Sequence, residues 1–137
     1  MKKSFFNLPI FLLTVLSFAA CKKEVTFEEK ITGEWQSVNV QLNGNDVTSY
    51  FSLDLELQSD KDFKAILKTT DIFTGKTTTT NPRGQWSADN GKEIELVYDN
   101  TDETEYYDVV EYNDKDLIVE TSQNGDKIEI TFERVSQ

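Results

Sequence analysis

Beyond Ile31 apolar and polar side chains alternate with a period of two, and turn signals break the alternation again and again. Phe51, Leu53, Leu55 and Leu57 alternate with Ser52, Asp54, Glu56 and Gln58. Ile94, Leu96 and Tyr98 do the same, as do Ile128, Ile130 and Phe132. A period of two is that of a strand with one wet and one dry face, because successive side chains leave the pleat on opposite sides. The punctuation is turn chemistry. Asn43-Gly44, Asn90-Gly91 and Asn124-Gly125 suit two-residue hairpins, and Ser59-Asp60-Lys61-Asp62, Asn81-Pro82-Arg83-Gly84 and Asn113-Asp114-Lys115 suit other turns. Proline occurs only at Pro9 and Pro82, so no strand interior is interrupted. The pattern predicts strands over 33–42, 51–58, 63–68, 71–80, 84–88, 94–98, 104–112, 116–121 and 127–134, with 45–50 wandering between the first two.

Such strands, joined in order by short turns, make an all-β, up-and-down antiparallel meander of eight or nine strands. Left open, the sheet would expose two edges; closing it into a barrel removes them. A barrel of about eight strands has room for packed side chains or one small ligand. An open sandwich is the architectural alternative. Val25, Phe27 and Ile31 fit one or two helical turns that close one end.

The first residues read differently. Met1-Lys2-Lys3-Ser4 precedes an apolar run from Phe5 to Phe18, and Ala19-Ala20-Cys21 follows. Basic start, short apolar run and small residues together are the layout of a secretion signal. The run is too short and wrongly flanked for a permanent span. The chain's one cysteine stands just after the small residues. The segment resembles a bacterial lipobox, although Phe18 occupies the place where Leu is usual. That resemblance implies cleavage before Cys21, with lipid attached to Cys21 and palmitate-like acylation of its new amino terminus. The expected division is a signal peptide over 1–20, an acylated Cys and short tether over 21–31, and a barrel domain over 32–137. An ordinary secretion signal leaving a free thiol, or an uncleaved anchor, are the alternatives. Lys22-Lys23-Glu24 partly resembles the export signal of some surface lipoproteins. The expected location is therefore the cell envelope, on the outer membrane, with its facing left open.

All 25 acidic residues lie after Cys21. With Lys2 and Lys3 set aside, 12 basic residues face 25 acidic ones, a formal charge of −13. So acidic a body repels phosphates, which excludes nucleic acid as an expected partner, and it repels its own copies, so a monomer is expected. The absence of histidine removes imidazole chemistry, and a single cysteine permits neither an internal disulfide nor a cysteine metal cluster.

Gly33-Glu34-Trp35 opens the first strand, Gly84-Gln85-Trp86 opens the fifth, and Arg134 stands near the other end of the chain. Together with the weaker Thr104-Glu105-Tyr106, these residues resemble the lipocalin-like lipoproteins of bacteria over residues 31–135. The resemblance implies a β-barrel whose closure residues are Gly33, Trp35 and Arg134, and a small apolar or amphipathic ligand inside it. The chain is shorter than a typical lipocalin, with no disulfide and no room for a helix after the barrel, which implies a small or filled cavity. One conflict stands out. Trp35 is odd-numbered, whereas Val38, Val40 and Leu42 are even. Either a bulge near Gln36-Ser37 or a Trp35 below the barrel wall would reconcile them.

No catalytic constellation emerges, and no enzyme is expected. There is no Gly-x-Ser-x-Gly elbow. Asp108 and Glu111 have opposite parity in their strand, which argues against a carboxylate pair. The acidic run Asp99 to Glu105 lacks the spacing and central glycine of a calcium loop, so no metal and no cofactor are expected. Trp86, Tyr98, Tyr106, Tyr107 and Tyr112 cluster in the middle and late strands. Of these, Trp86, Tyr98, Tyr106 and Tyr112 are the candidate ligand contacts, since aromatics supply apolar area with a polar handle. Two functions follow: a membrane-tethered binding protein with the ligand in its barrel, or a surface module whose filled barrel meets a protein or glycan through acidic loops.

Overall fold

A computed structural model of the chain describes residues 23–101 and 103–136. The predicted signal segment and Cys21 lie outside the described residues. The elements, in order, are α1 (Phe27–Ile31), β1 (Gly33–Leu42), β2 (Asn45–Asp46), β3 (Phe51–Leu57), β4 (Asp62–Thr70), β5 (Thr77–Thr80), β6 (Arg83–Asp89), β7 (Glu93–Tyr98), β8 (Thr104–Tyr112), β9 (Asp116–Gln123) and β10 (Asp126–Ser136). Among the described residues no helix is long and apolar enough to cross a membrane.

The sheet runs β10-β9-β8-β7-β6-β4-β3-β1, every pairing in the described circuit antiparallel, and β10 pairs back onto β1. Eight strands thus form a closed barrel, as the alternation and the cost of free edges predict. β2 folds back onto β1, and β5 pairs with the outer half of β4; both lie off the barrel circuit. The three Asn-Gly turns take positive φ at both residues, 51° and 82° at Asn43-Gly44, 43° and 78° at Asn90-Gly91, and 54° and 85° at Asn124-Gly125. That is the turn whose twist matches paired strands.

The expected strand over 71–80 is shorter in the structure. Asp71 Oδ1 accepts from the Phe73 and Thr74 N–H groups, turning the chain, so only Thr77–Thr80 remains a strand, with all four threonines exposed. An aspartate that offers its own side chain to the following amides competes with the ladder and wins here. The stretch 45–50 holds a short strand, β2, which alternation could not reveal in two residues.

The parity conflict in β1 resolves as a bulge, one residue later than expected. Ser37 pairs with Phe132 and Asn39 with Thr131, leaving Val38 unmatched and 40% exposed. Trp35 and Val40, each 1% exposed, then both face inward although their numbers differ in parity. A further bulge, between Val109 and Glu111, leaves Val110 unmatched in β8. It cancels the parity difference between Asp108 and Glu111, and both side chains are exposed. The expectation of opposite faces fails for that reason, and the two acids sit on the solvent side.

The core is one cluster inside the barrel, with Ile31, Leu57, Phe63, Leu117 and Phe132 exposed by 2% or less. It is densest at the end covered by α1. Thr26 caps that helix: its hydroxyl accepts from the Glu29 N–H, and the Glu29 carboxylate accepts from the Thr26 N–H. This reciprocal pair satisfies two otherwise orphaned amides and holds a helix too short to persist alone.

Candidate functional site

The barrel has two unlike ends. At the end under α1, the Trp35 indole is buried and its Nε1 donates to the Ile31 carbonyl at 2.8 Å. The Arg134 guanidinium lies over that indole, 4.2 Å from the ring centroid. Its Nη1 donates to Thr32 O, its Nη2 to Lys30 O and its Nε to Asp114 O, all within 2.9 Å. One side chain from the last strand thus binds the helix, the residue before β1 and the β8–β9 turn. Tyr112 meets Phe27 and Trp35 edge to face and donates to Lys30 O. Gly33 starts β1 at φ 136°, a backbone state that side chains resist.

The second Gly-x-Trp repeats this arrangement from another strand. Trp86 is 3% exposed, donates from Nε1 to Gln58 O at 2.9 Å, and has Lys61 Nζ 4.7 Å from its ring centroid. Lys61 also pairs with Glu28 of α1, whose other oxygen accepts the Ala88 N–H. The Ala88 amide, and next Lys61, hold the Glu28 carboxyl below the usual carboxylate range. Gly84 is required for a different reason from Gly33: a Cβ there would stand 1.9 Å from the Val97 carbonyl oxygen of the neighbouring strand.

Trp86 and Tyr112, expected as ligand contacts, therefore belong to the packed end. Both spend their polar atoms on backbone carbonyls, and neither lines the hollow described next. Between the two ends, a space of about 10 Å³ among Leu53, Leu96, Leu117 and Phe132 is too small and too apolar to hold a water.

The opposite end is hollow. A cavity of about 460 Å³ opens among Phe51, Leu53, Leu67, Leu96, Ile128 and Ile130, with Thr121 and Gln123 near its mouth. The barrel is thus not filled, and the volume lies within the range of small-molecule pockets. The polar centre of its wall is Glu105. Its Oε2 accepts from the Tyr98 and Tyr107 hydroxyls, each at 2.6 Å. Register explains the meeting. Glu105 stands opposite Leu96, which faces inward, and Tyr107 follows two residues on, while Tyr98 ends β7 two residues past Leu96. Burial first, then the Glu105 charge and its hydrogen bonds, push both tyrosine hydroxyls well above their ordinary value, so both remain donors.

Of the expected contacts, Tyr98 lies in the cavity wall. Tyr106 is 51% exposed on the outer face of β8 and borders the hollow at its rim. Glu105 was not among the expected contacts, and Tyr107 belonged to the aromatic cluster without being singled out from it. The signal for them was parity within β8, where Glu105, Tyr107 and Val109 share a face, but Glu105 reads as the end of an acidic turn. Cys21 lies outside the described residues. Among those residues, no group of three or more Asp, Glu or Cys side chains could hold a metal ion.

A larger hollow, about 760 Å³, lies on the outer wall over β1, β3 and β4. Glu34, Gln36, Asp54, Glu56 and Lys64 line it together with the outward Ile66 and Val135, so it is a mixed depression on the outer wall, not part of the barrel interior.

No known family's sequence profile matches the chain, and no curated protein matches it. Solved structures with a similar course of chain include an odorant binding protein, OBP1 (TM-score 0.49, 11% identity, covering 80% of this chain and 75% of that one). Bovine odorant binding protein in complex with undecanal is similar to the same degree (TM-score 0.49, 10% identity, 82% and 75%). The bovine lipocalin allergen Bos d 2 follows (TM-score 0.46, 15% identity, 78% and 74%). The barrel itself rests on the strand pairings given above.

Proposed function

We propose that this chain is a lipid-anchored binding protein of the cell envelope that holds one small apolar or amphipathic molecule in the open half of its barrel. The observation that carries the reading is the cavity of about 460 Å³, walled by Phe51, Leu67 and Ile128 and furnished with one polar cluster. Mostly apolar walls with a few fixed polar groups are what a site for such a ligand requires. The packed end supports the reading, since it lets the other half stay hollow without loss of the fold. The tether is inferred from the sequence around Cys21. Two or more acyl chains there would hold the protein at a bilayer, at about 0.8 kcal/mol per buried methylene.

Native mass spectrometry of the full chain tests the ligand reading. A bound small molecule, or uptake of an added apolar probe that the cavity-filling Leu67→Trp variant does not take up, is expected. Failure of the wild-type chain to carry or accept any probe overturns it. Independently, Cys21→Ala is expected to leave the membrane fraction and lose fatty-acid label; retention of both refutes the anchor.

A further inference from the structure

We propose that the ligand of the hollow end is a cation: an apolar body carrying an ammonium or similar positively charged hydrogen-bond donor, seated against Glu105. This rests on the reading of the cavity as a ligand site and adds the chemical class of what enters it.

The charge inventory of the wall is one-sided. Glu105 is the carboxylate on the inner wall, Glu93 and the exposed Asp108 border the cavity from the outer face, and no lysine or arginine borders it. Of these, Glu105 is half-buried, and its position opposite Leu96 puts it on the inner face. A carboxylate drawn into an apolar hollow is costly unless hydrogen bonds or an opposite charge compensate it. Two tyrosine hydroxyls supply part of that compensation, both to Oε2. A carboxylate has about four acceptor positions across its two oxygens, so Oε1 retains capacity for a donor. Tyr98 and Tyr107 fix the carboxylate's orientation in advance, which lowers the cost of binding a partner there.

The same inventory works against an anionic amphiphile. A fatty acid would bring a second carboxylate next to Glu105, with no cation in the wall to offset it, into a body of strongly negative formal charge. Phe51, Leu67 and Ile128 supply the apolar part of the site. The tyrosine and phenylalanine rings add faces that favour a cation over a neutral head.

The test compares three probes with one body and three heads: 1-naphthylmethylamine, 1-naphthalenemethanol and 1-naphthoic acid. Each is titrated calorimetrically into the full chain held in lipid nanodiscs, with empty nanodiscs as the blank. The amine is expected to bind about tenfold more tightly than the alcohol, as a charge-assisted hydrogen bond allows, and the acid more weakly than either. In Glu105→Gln, which keeps the side chain's shape, the amine should fall to the alcohol's affinity while the alcohol is unchanged. Equal affinities for amine and alcohol in the wild-type chain, or a preference for the acid, overturn the cation proposal and leave the cavity reading standing. No heat above blank with any of the three overturns the cavity reading itself. The wild-type comparison needs no variant, so a Glu105→Gln protein that failed to fold would not shield the proposal.

Discussion

The two ends of the barrel use similar residues to opposite effect. Under α1, the Trp35 and Trp86 rings are buried to within a few percent, Tyr112 is partly buried, and their polar atoms are spent on backbone carbonyls: Trp35 on Ile31, Trp86 on Gln58, Tyr112 on Lys30. At the mouth, Tyr98 and Tyr107 spend their hydroxyls on a side chain, Glu105, beside an open volume. An aromatic residue tied to backbone is part of the architecture, because the backbone must be satisfied for the fold to exist. Aromatics tied to a carboxylate spend their polar atoms on another side chain instead, and leave the backbone pairing of the strands to itself. Stability therefore concentrates at one end, which frees the other to keep a cavity that a uniformly packed core would fill.

The largest test of this division is Trp35→Ala. It removes a buried indole, its hydrogen bond to Ile31 and the ring under Arg134, and is expected to cost about 3–5 kcal/mol. Leu67→Ala, at the wall of the hollow, should cost only about 1–2 kcal/mol, since the side chain already faces open volume on one side. Urea unfolding followed by circular dichroism measures both. Equal losses would mean that the two ends are not energetically distinct.

Next in size is a pair of glycines. Gly84→Ala drives a methyl into the Val97 carbonyl, which is backbone and cannot swing aside, so β6 must part from β7. Overpacking of this kind costs roughly 2–3 kcal/mol. Gly44, in the turn at the mouth, has open space where its Cβ would be, and only its φ of 82° opposes alanine, at about 1 kcal/mol. The same unfolding measurement ranks them, and a costlier Gly44→Ala would place the constraint in the turn rather than in the wall.

These contrasts also show where a sequence can be read and where it cannot. The strands and the Asn-Gly turns were legible because each is local: alternation needs five or six residues and a type I′ turn needs two. The bulge in β1 was partly legible, since the parity conflict between Trp35 and Val40 called for a bulge near Gln36-Ser37 or a Trp35 below the wall, but only the facing strand puts it at Val38. The bulge at Val110 was not legible, because an unmatched residue is defined by the facing strand and the valine looks like an ordinary wall position. Trp86 was legible as a buried aromatic but not as part of the packed end. Its height in the barrel depends on β6 pairing with only Asp62, Phe63 and Lys64 of β4, a register that no local pattern encodes. Glu105 was hidden by its neighbours. A glutamate at the end of Asp99 to Glu105 reads as solvated charge, and only its place opposite Leu96 turns it inward.

The finest test separates the ends by pH. At the packed end, Glu28 is held below its ordinary value by the Ala88 amide and by Lys61. A folded value lower than the unfolded one means stability that is complete above the ordinary value of 4.5 and is lost as the pH falls through the folded value. At the mouth, burial and Glu105 raise Tyr98 and Tyr107 above the ordinary value of 10.0. The folded protein there keeps protons that the unfolded chain releases, so this stability is complete below pH 10.0 and declines as the pH rises beyond it. Glu28→Gln should flatten the acid limb of a stability–pH curve and leave the alkaline limb in place. Tyr98→Phe with Tyr107→Phe should flatten the alkaline limb alone. Chemical denaturation from pH 3 to 11 would show it, and a variant that shifted both limbs together would mean that the ends unfold as one electrostatic unit.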